Sequence, residues 1–375
     1  MGKTKFLFAI CVVGLVSLMV SCSNTTGQDS SSKAGSTSES GSNASGEATG
    51  TNGSGNNTSG GTTGDNGENN NGNNPTEYIF HETVEYLPAG TDGTVGTAGT
   101  YVLFGDWPQT IKAGNVEIDE TKTMTIGKFT YYLGSDQNWY ASRKDNAYAE
   151  GYFYSDGTPV EKASNSSTKY FKVEPIKWRV LNPNPADGEK RILLAENCLD
   201  KCLYSSASNN RTLNSQKIPM NSYRYSNIRA YLNGTVNEYI RITRGDNIQP
   251  FEMVNNQKGF LYSAFTVSAI NKISDTVVKT DSLNPNICED TEDKIFLPSY
   301  KEIYNSIYGF SENAVRIREV TDYLKSYGVD PNAGWFLRDL QSFELVASCV
   351  TGEGNTGTAN YEKNKYAIVP ALCLK

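Results

Sequence analysis

Seven cysteines are the strongest potential nucleophiles of the 375-residue chain, and five of them follow the amino-terminal segment. These five are Cys198, Cys202, Cys288, Cys349 and Cys373. Cys198 and Cys202 are spaced to share one helical face, but a zinc site needs more ligands nearby, and the single histidine, His81, is distant in sequence. We therefore predict no metal at these thiols and expect small buried side chains or one or two disulfides, with the pairing left open.

The single histidine also limits catalysis, because a Ser-His-Asp or Cys-His arrangement would have to use His81. His81 lies in EYIFHETVEYL, whose alternating pattern is typical of an edge strand. The chain contains no G-x-S-x-G nucleophile motif. We therefore predict that the protein is not a hydrolase of this type and, more broadly, not an enzyme.

Aromatic side chains offer a binding chemistry, because their rings stack on sugar faces and tyrosine hydroxyls form hydrogen bonds. The chain has 23 tyrosines and four tryptophans, most of which we expect at core or half-buried strand positions. Trp178 and Trp335 lie in apolar strand segments and are predicted to be core. Trp139 and Tyr140 follow a Gly-Ser-Asp turn and, with Trp107, are the candidate exposed sugar platform.

Arg244, Gly245 and Asp246 spell an RGD triplet. In an exposed loop the cation and the carboxylate of such a triplet can engage an integrin, which makes a host protein one candidate partner. The alternative is a polar turn with glycine at its bend.

An acidic cluster follows Cys288, at Glu289, Asp290, Glu292 and Asp293. Calcium prefers oxygen ligands, so this cluster is the candidate calcium site of the chain. Its spacing is not that of a D-x-D-x-D-G loop, and the sugar triplets QPD and EPN of lectins are absent. We therefore expect a solvated loop and predict no cofactor.

Short strands outnumber short helices along the chain, without the alternation of strands and helices that builds a parallel sheet. Strands are predicted at 101–104, 128–133, 176–181, 191–195, 335–338, 343–350 and 366–374. Helices are predicted at 226–232, from the Ser299–Glu302 capping box to Gly309, and at 321–327. The pattern predicts an α+β domain of mostly antiparallel short strands with two or three short helices.

The amino-terminal segment determines where this domain works. Lys3 and Lys5 precede an uninterrupted apolar run that ends at Ser21, and Cys22 follows. This resembles a bacterial lipoprotein signal, which predicts a signal peptide at 1–21, acylation of Cys22 and a membrane partner through the lipid. Residues 22–75 read as a disordered Ser/Gly/Asn/Thr-rich tether about 40 Å in end-to-end distance, and 76–375 as one globular domain.

Charge argues against nucleic acid as a partner. The formal net charge is −7, whereas nucleic-acid-binding domains carry basic patches. An extracytoplasmic position, on the outer membrane or cell surface, is expected from the lipoprotein-like start, and Ser23 after Cys22 favours the outer membrane.

Several segments together are similar to the bacterial family DUF6273, a domain of unknown function, over about 100–375. They are FGDWPQT, FKVEPIKWRVL, RILLAEN, SNIRAYLNG, DKIFLPSYKEI, GWFLRDL and VPALCLK. The resemblance implies a C-type-lectin-like fold akin to that of formylglycine-generating enzymes, and it supplies no catalytic residues.

Three functional hypotheses for the domain are considered. We expect a lipid-anchored binding or adhesion module for a host or environmental ligand, a protein or a glycan. A formylglycine-generating-type enzyme, which would need two redox-active cysteines, and a purely structural envelope protein are the alternatives.

Overall fold

A computed structural model of the chain describes these residues: 80–88, 100–146, 151–205, 211–213, 216–234, 240–242, 246–250, 259–283, 285–286, 288–343, 345–360 and 366–375. The chain divides into two units, Met1–Asn73 and Asn74–Lys375, and every described residue belongs to the second. The predicted leader, Cys22 and the tether therefore lie outside the described residues, and so do Arg244 and Gly245 of the RGD triplet.

The strands are mostly short. They are β1 Glu85–Tyr86, β2 Tyr101–Ile111, β3 Ile118–Ile126, β4 Phe129–Gly134, β5 Trp139–Lys144, β6 Thr168–Val180, β7 Ile192–Ala195, β8 Asn197–Cys198, β9 Arg211–Leu213, β10 Gln216–Lys217, β11 Ile240–Ile242, β12 Asp246–Pro250, β13 Thr276–Val278, β14 Thr291–Asp293, β15 Ile295–Phe296, β16 Glu319–Val320, β17 Trp335–Phe336, β18 Val346–Val350, β19 Thr356–Asn360 and β20 Ala371–Cys373.

The helices are shorter than two full turns. They are α1 Asn227–Asn233, α2 Phe260–Ala264, α3 Val267–Ile270, α4 Tyr300–Ile303 and α5 Asp322–Lys325. Single 3-10 turns occupy Ala163–Asn165, Ser306–Tyr308 and Ala314–Arg316.

One large antiparallel sheet organises the domain. Its strands run in the order β15-β20-β7-β6-β5-β4-β3, with β2 also paired to β6 and β1 paired to β2. The 13-residue β6 is long enough to pair with β5 through its first half and with β7 through its second. The predicted hairpin across Asn182–Gly188 is therefore confirmed as β6–β7.

Smaller sheets flank the large one. The antiparallel β17-β18-β19 sheet and the β13-β14 pair lie in the carboxyl-terminal half of the chain. The β16-β8 and β12-β9 pairs are parallel. The structure confirms a mixed architecture of short antiparallel strands and few helices among the residues it describes.

The first long strand differs from its prediction. The sequence predicts that it ends at Phe104, before Gly105 and Asp106, but β2 continues to Ile111. The β2–β6 register shifts between Leu103 and Asp106, and Gly105 has a φ of 69°, so a bulge absorbs the glycine without ending the strand. A Cβ at Gly105 would lie 2.4 Å from the Phe265 ring, which explains why glycine occupies the bulge.

Cap residues set the helix boundaries that the sequence predicts. Ser226 caps α1, whose last turn ends at Gly234 with φ 57°, and Thr321 caps α5. Ser299 and Glu302 form both hydrogen bonds of the predicted capping box.

Two helix predictions are wrong. The helix expected from Ser299 to Gly309 ends at Ile303 and is followed by a separate 3-10 turn that Gly309 ends. Helices α2 and α3 were not predicted, so the described residues contain five short helices rather than two or three.

The core combines buried residues of the large sheet with those of the helices and the smaller sheets. Trp107, Trp178 and Trp335 are at most 1% exposed, which confirms Trp178 and Trp335 as core residues. No helix among the described residues is long and apolar enough to span a bilayer.

Candidate functional site

The predicted aromatic platform is not exposed. Trp139 is 6% exposed, Tyr140 2% and Trp107 0%. Strand β5 lies inside the sheet between β4 and β6, where the Tyr140 ring packs over Gly134, so a Cβ on that glycine would lie 2.6 Å from the ring. The prediction that these rings are exposed is wrong, because the Gly-Ser-Asp turn before them ends immediately in an interior strand.

Hydrogen bonds hold two of these rings in place. The Trp107 indole N–H donates to the carbonyl of Leu199 at 2.8 Å, and the Tyr140 hydroxyl donates to Asp136 at 2.7 Å. Burial and the bond to Asp136 raise the pKa of Tyr140 above its ordinary value. These polar groups are therefore used within the fold.

Of the RGD triplet, only Asp246 is described. It begins β12, where its backbone pairs with Arg211 of β9. The host-protein contact predicted for Arg244, Gly245 and Asp246 remains a prediction.

The acidic cluster is part of a strand pair, not the solvated loop that the sequence predicts. Glu289 and Asp293 are 1% and 3% exposed. Ser222 donates to Glu289 at 2.5 Å, and Arg229 pairs with Asp293 at 2.9 Å. Within the described part of the chain, no group of three or more His, Cys, Asp or Glu side chains is arranged to hold a metal ion.

All five cysteines of the domain are free thiols, so the disulfide alternative is wrong for this structure. Burial raises the pKa of both Cys198 and Cys202 to about 12 and that of Cys349 to about 11. A catalytic thiol needs a lowered pKa and access to substrate. These cysteines therefore act as small apolar side chains.

His81 pairs with a buried carboxylate. Its Nδ1 lies 2.7 Å from Asp106 Oδ1, and its backbone N–H donates to Oδ2 at 2.8 Å. The sequence predicts that His81 lies in an edge strand. In the structure His81 precedes β1, because strand pairing is confined to Glu85 and Tyr86. The hydrogen bond that the imidazole donates to Asp106 raises the pKa of His81.

A cavity of about 530 Å³ lies beside the β8–β16 pair. Its wall is formed by the 3-10 turn before Arg318, the loop before β17 and the turn between β18 and β19. Gly352 and Asn332 meet in this wall, where a Cβ on the glycine would lie 2.0 Å from the Asn332 carbonyl oxygen. This volume is in the range of small-ligand pockets.

Arg318 is the distinctive side chain of this cavity. The residue is 3% exposed, and its Nη1 donates to the carbonyls of Val315 at 3.0 Å and Ile317 at 2.9 Å. Its Nε and Nη2 are buried and have no hydrogen-bond partner among the described residues. Burial lowers the pKa of the guanidinium from its ordinary value, although not enough to deprotonate an arginine.

One of the two carboxylates in the cavity lining already pairs with another arginine. Glu196 accepts from Arg179, with Nη2–Oε1 at 2.6 Å and Nε–Oε2 at 3.1 Å. Arg179 and Arg318 both lie 5.8 Å from the Phe310 ring centroid. Glu196 is thus held by Arg179 and forms no hydrogen bond to Arg318, and the exposed Glu319 is the other carboxylate in the cavity lining.

The unpartnered nitrogens of Arg318 define the chemistry that the cavity offers. Two N–H groups of a charged guanidinium, held apart from water, match the two oxygens of a carboxylate or of a sulfate or phosphate. Sequence reasoning missed Arg318 because SENAVRIREV reads as a polar surface segment. The available signal was alternation, since Arg316, Arg318 and Val320 are buried and Ile317 and Glu319 are exposed.

A family model described as "Domain of unknown function (DUF6273)" matches residues 188–375. The match is narrower than the expected 100–375, so β2 to β6 precede it although they belong to the same sheet as β7 and β20. Every residue that lines the Arg318 cavity lies within the match. No curated protein and no solved structure matches the chain.

Proposed function

The chain belongs to the DUF6273 family. From its amino-terminal sequence and the cavity at Arg318, we propose that it is a lipid-anchored, extracytoplasmic binding module whose ligand places an anionic group on Arg318. The observation that carries the proposal is that Arg318, whose buried Nε and Nη2 have no hydrogen-bond partner among the described residues, lines a ligand-sized cavity. Leaving a buried donor without an acceptor costs about 1–3 kcal/mol, and more for a charged group. A bound anion would recover this cost.

The position of the module rests on the amino-terminal sequence. The charged start, the apolar run and Cys22 support a lipid anchor at the outer membrane or cell surface, and the Ser/Gly/Asn/Thr-rich segment would hold the domain away from the bilayer. The natural ligand would then be an anionic group on a host or environmental glycan or protein.

A C-type-lectin-like fold belongs to the same proposal. It is supported by the antiparallel main sheet, in which the first strands β1 and β2 and the last strand β20 all take part. The burial of Cys198, Cys349 and Cys373 speaks against the formylglycine-generating alternative.

Calorimetric titration of the purified chain with sulfate, acetate and then a panel of acidic glycans tests the proposal. We expect saturable binding that Arg318→Lys weakens by about tenfold to hundredfold, since a charge-assisted hydrogen bond contributes about 1.5–3 kcal/mol. Glu319→Gln should tighten binding, because it removes a like charge from the cavity rim.

Arg224→Lys is the matched control. Nη1 of Arg224 also donates to two carbonyls, those of Cys288 and Asp290, but the residue does not line the cavity. Its affinity should equal that of the wild type. Equal affinities of the wild type and Arg318→Lys, with Glu319→Gln also without effect, would refute the assignment of the site.

A further inference from the structure

A second pocket, of about 330 Å³, lies where β4, β5 and α5 meet. Lys128, Tyr132, Ser142, Arg143 and Tyr327 are in its lining. Most of its lining residues precede residue 188, where the family match begins. This pocket is therefore separate from the Arg318 cavity and combines residues on both sides of that boundary.

Arg143 is the polar centre of the pocket. Its guanidinium carbon lies 3.0 Å from the centroid of the Tyr327 ring, which fixes the plane of the group. Its Nε is buried and has no hydrogen-bond partner, and no side-chain hydrogen bond or ion pair joins Arg143 to any other described residue. A rigid fork of donors is thus held at the pocket wall without an acceptor.

The surroundings of Arg143 are cationic. Lys201 donates to the Tyr327 carbonyl at 2.8 Å, and its ammonium lies 5.4 Å from the same ring that Arg143 covers. Burial lowers the pKa of Lys201, and repulsion from Arg143 lowers it further. Two positive charges therefore meet across one tyrosine ring.

Lys128 supplies a third positive charge in a fixed position. Its ammonium pairs with the buried Asp200 and donates to the Tyr231 hydroxyl at 2.7 Å, and it lies 4.7 Å from the Trp107 ring centroid. This network holds the lysine head in place at the pocket wall. Asp200 balances one of the three positive charges.

Hydroxyl groups occupy the rest of the wall. Ser142 and Tyr132 have no side-chain hydrogen bond to other described residues, so their hydroxyls are available to a ligand. Thr130 lies on the same strand as Tyr132, two residues away, and therefore on the same face of the sheet. Ser142 and Arg143 are consecutive on β5 and therefore lie on opposite faces, but both line the pocket, which is located where the β4–β5 pairing ends at Tyr131 and Ala141.

We propose that this pocket binds an acidic saccharide, with its carboxylate on Arg143 and its ring hydroxyls on Ser142 and Tyr132. A bare anion would use only the cations, and a neutral sugar only the hydroxyls. A sugar acid matches both sets at once. The site is independent of the Arg318 cavity and does not require that cavity to bind a ligand.

Titration of the full chain with D-glucuronate, D-glucose and acetate tests this assignment. Acetate has only the carboxylate, glucose has only the ring hydroxyls, and glucuronate has both. We expect glucuronate to bind at least about tenfold more tightly than either of the others, given that each hydrogen bond to a charged group contributes about 1.5–3 kcal/mol. Arg143→Gln should abolish this preference, and Arg143→Lys should restore part of it.

Lys144→Gln is the control for long-range charge, because Lys144 follows Arg143 on β5 but is exposed and does not line the pocket. It should keep the preference for glucuronate, and Ser142→Ala should reduce it about threefold, the effect of one neutral hydrogen bond. Equal binding of glucuronate and acetate would overturn the proposal. So would a preference that survives Arg143→Gln, a result that would leave the Arg318 assignment intact.

Discussion

Arg316 and Arg318 lie two residues apart, and both are 3% exposed, but their hydrogen bonds differ. Arg316 is satisfied at all three nitrogens: Nε donates to Gly354 at 3.0 Å, Nη1 to Glu312 at 3.1 Å and Nη2 to Asn313 at 2.7 Å. Arg318 has acceptors for Nη1 alone. Arg316 therefore stabilises the fold, whereas the Nε and Nη2 donors of Arg318 are the ones that we propose for a ligand.

This contrast predicts different effects on stability. In the absence of ligand, Arg316→Met should lower the free energy of unfolding by about 3 kcal/mol, because it leaves three acceptors without a donor. Arg318→Met should change it by about 1 kcal/mol or less, because removal of the unpartnered charge offsets the two lost bonds to carbonyls. Urea denaturation of both variants measures the difference, and equal losses would show that Arg318 is structural.

The segment 80–88 shows how an element is attached to the domain. Strand β1 contributes two residue pairs to β2, and the Gly105 N–H donates to the His81 carbonyl at 2.9 Å. The His81–Asp106 pair adds the charged contact, with Asp106 fully buried. Because β1 forms only two residue pairs with β2, its attachment depends on the His81–Asp106 contact.

The His81–Asp106 pair predicts that the free energy of unfolding depends on pH. The pKa of His81 is raised in the folded state, so its contribution to stability is fully present below the unfolded value of about 6.5 and is lost as pH rises through the folded value. The free energy of unfolding of the wild type should therefore exceed that of His81→Gln most at pH 5.5, and the difference should shrink by pH 8.5. A difference that is constant across this range would contradict the charged pair.

Local signals explain which elements the sequence predicts correctly. Ser226, Ser299 and Thr321 each cap a helix through a bond to an N–H three residues later, so four consecutive residues are sufficient evidence. Helix α2 lacks such a signal, because Gly259 provides no side-chain cap. Helix α3 does have one, since Thr266 accepts from the Ala269 N–H, but this helix was not predicted.

Long-range packing explains what the sequence does not predict. Trp139 is buried by the strands on either side of β5, and Gly105 continues β2 because β6 pairs across the bulge. The unpartnered state of Arg318 depends on Arg179, 139 positions earlier, which occupies Glu196. None of these relations is contained in a local window of sequence.

At the scale of the whole molecule, a chain with a net charge of −7 has, in each of two pockets, an arginine with a buried nitrogen that lacks a hydrogen-bond partner among the described residues. The general charge repels anions at long range, but within a Debye length, about 8 Å at physiological salt, the pocket charges dominate. We expect binding at both pockets to depend on local geometry more than on ionic steering.

The lipid anchor proposed at Cys22 can be tested separately. Replacement of Cys22 by serine removes the sulfur to which the lipid would be attached, so the variant should leave the membrane fraction of the producing cells. Cys11→Ser, a second cysteine change within the same leader, should leave the fractionation unchanged. Mass spectrometry of the native protein should detect a modified Cys22, and an unmodified thiol or a retained leader would contradict the lipoprotein assignment.

The most direct measurement of the central claim is the side-chain N–H resonance of Arg318 in the ¹⁵N-labelled chain, assigned with Arg318→Lys. We predict that titration with the best-binding anion shifts the Nε–H signal of Arg318 saturably, with the same dissociation constant that calorimetry gives, while the Arg316 signal stays unchanged. Calorimetric binding that leaves the Arg318 resonance unmoved would contradict the account.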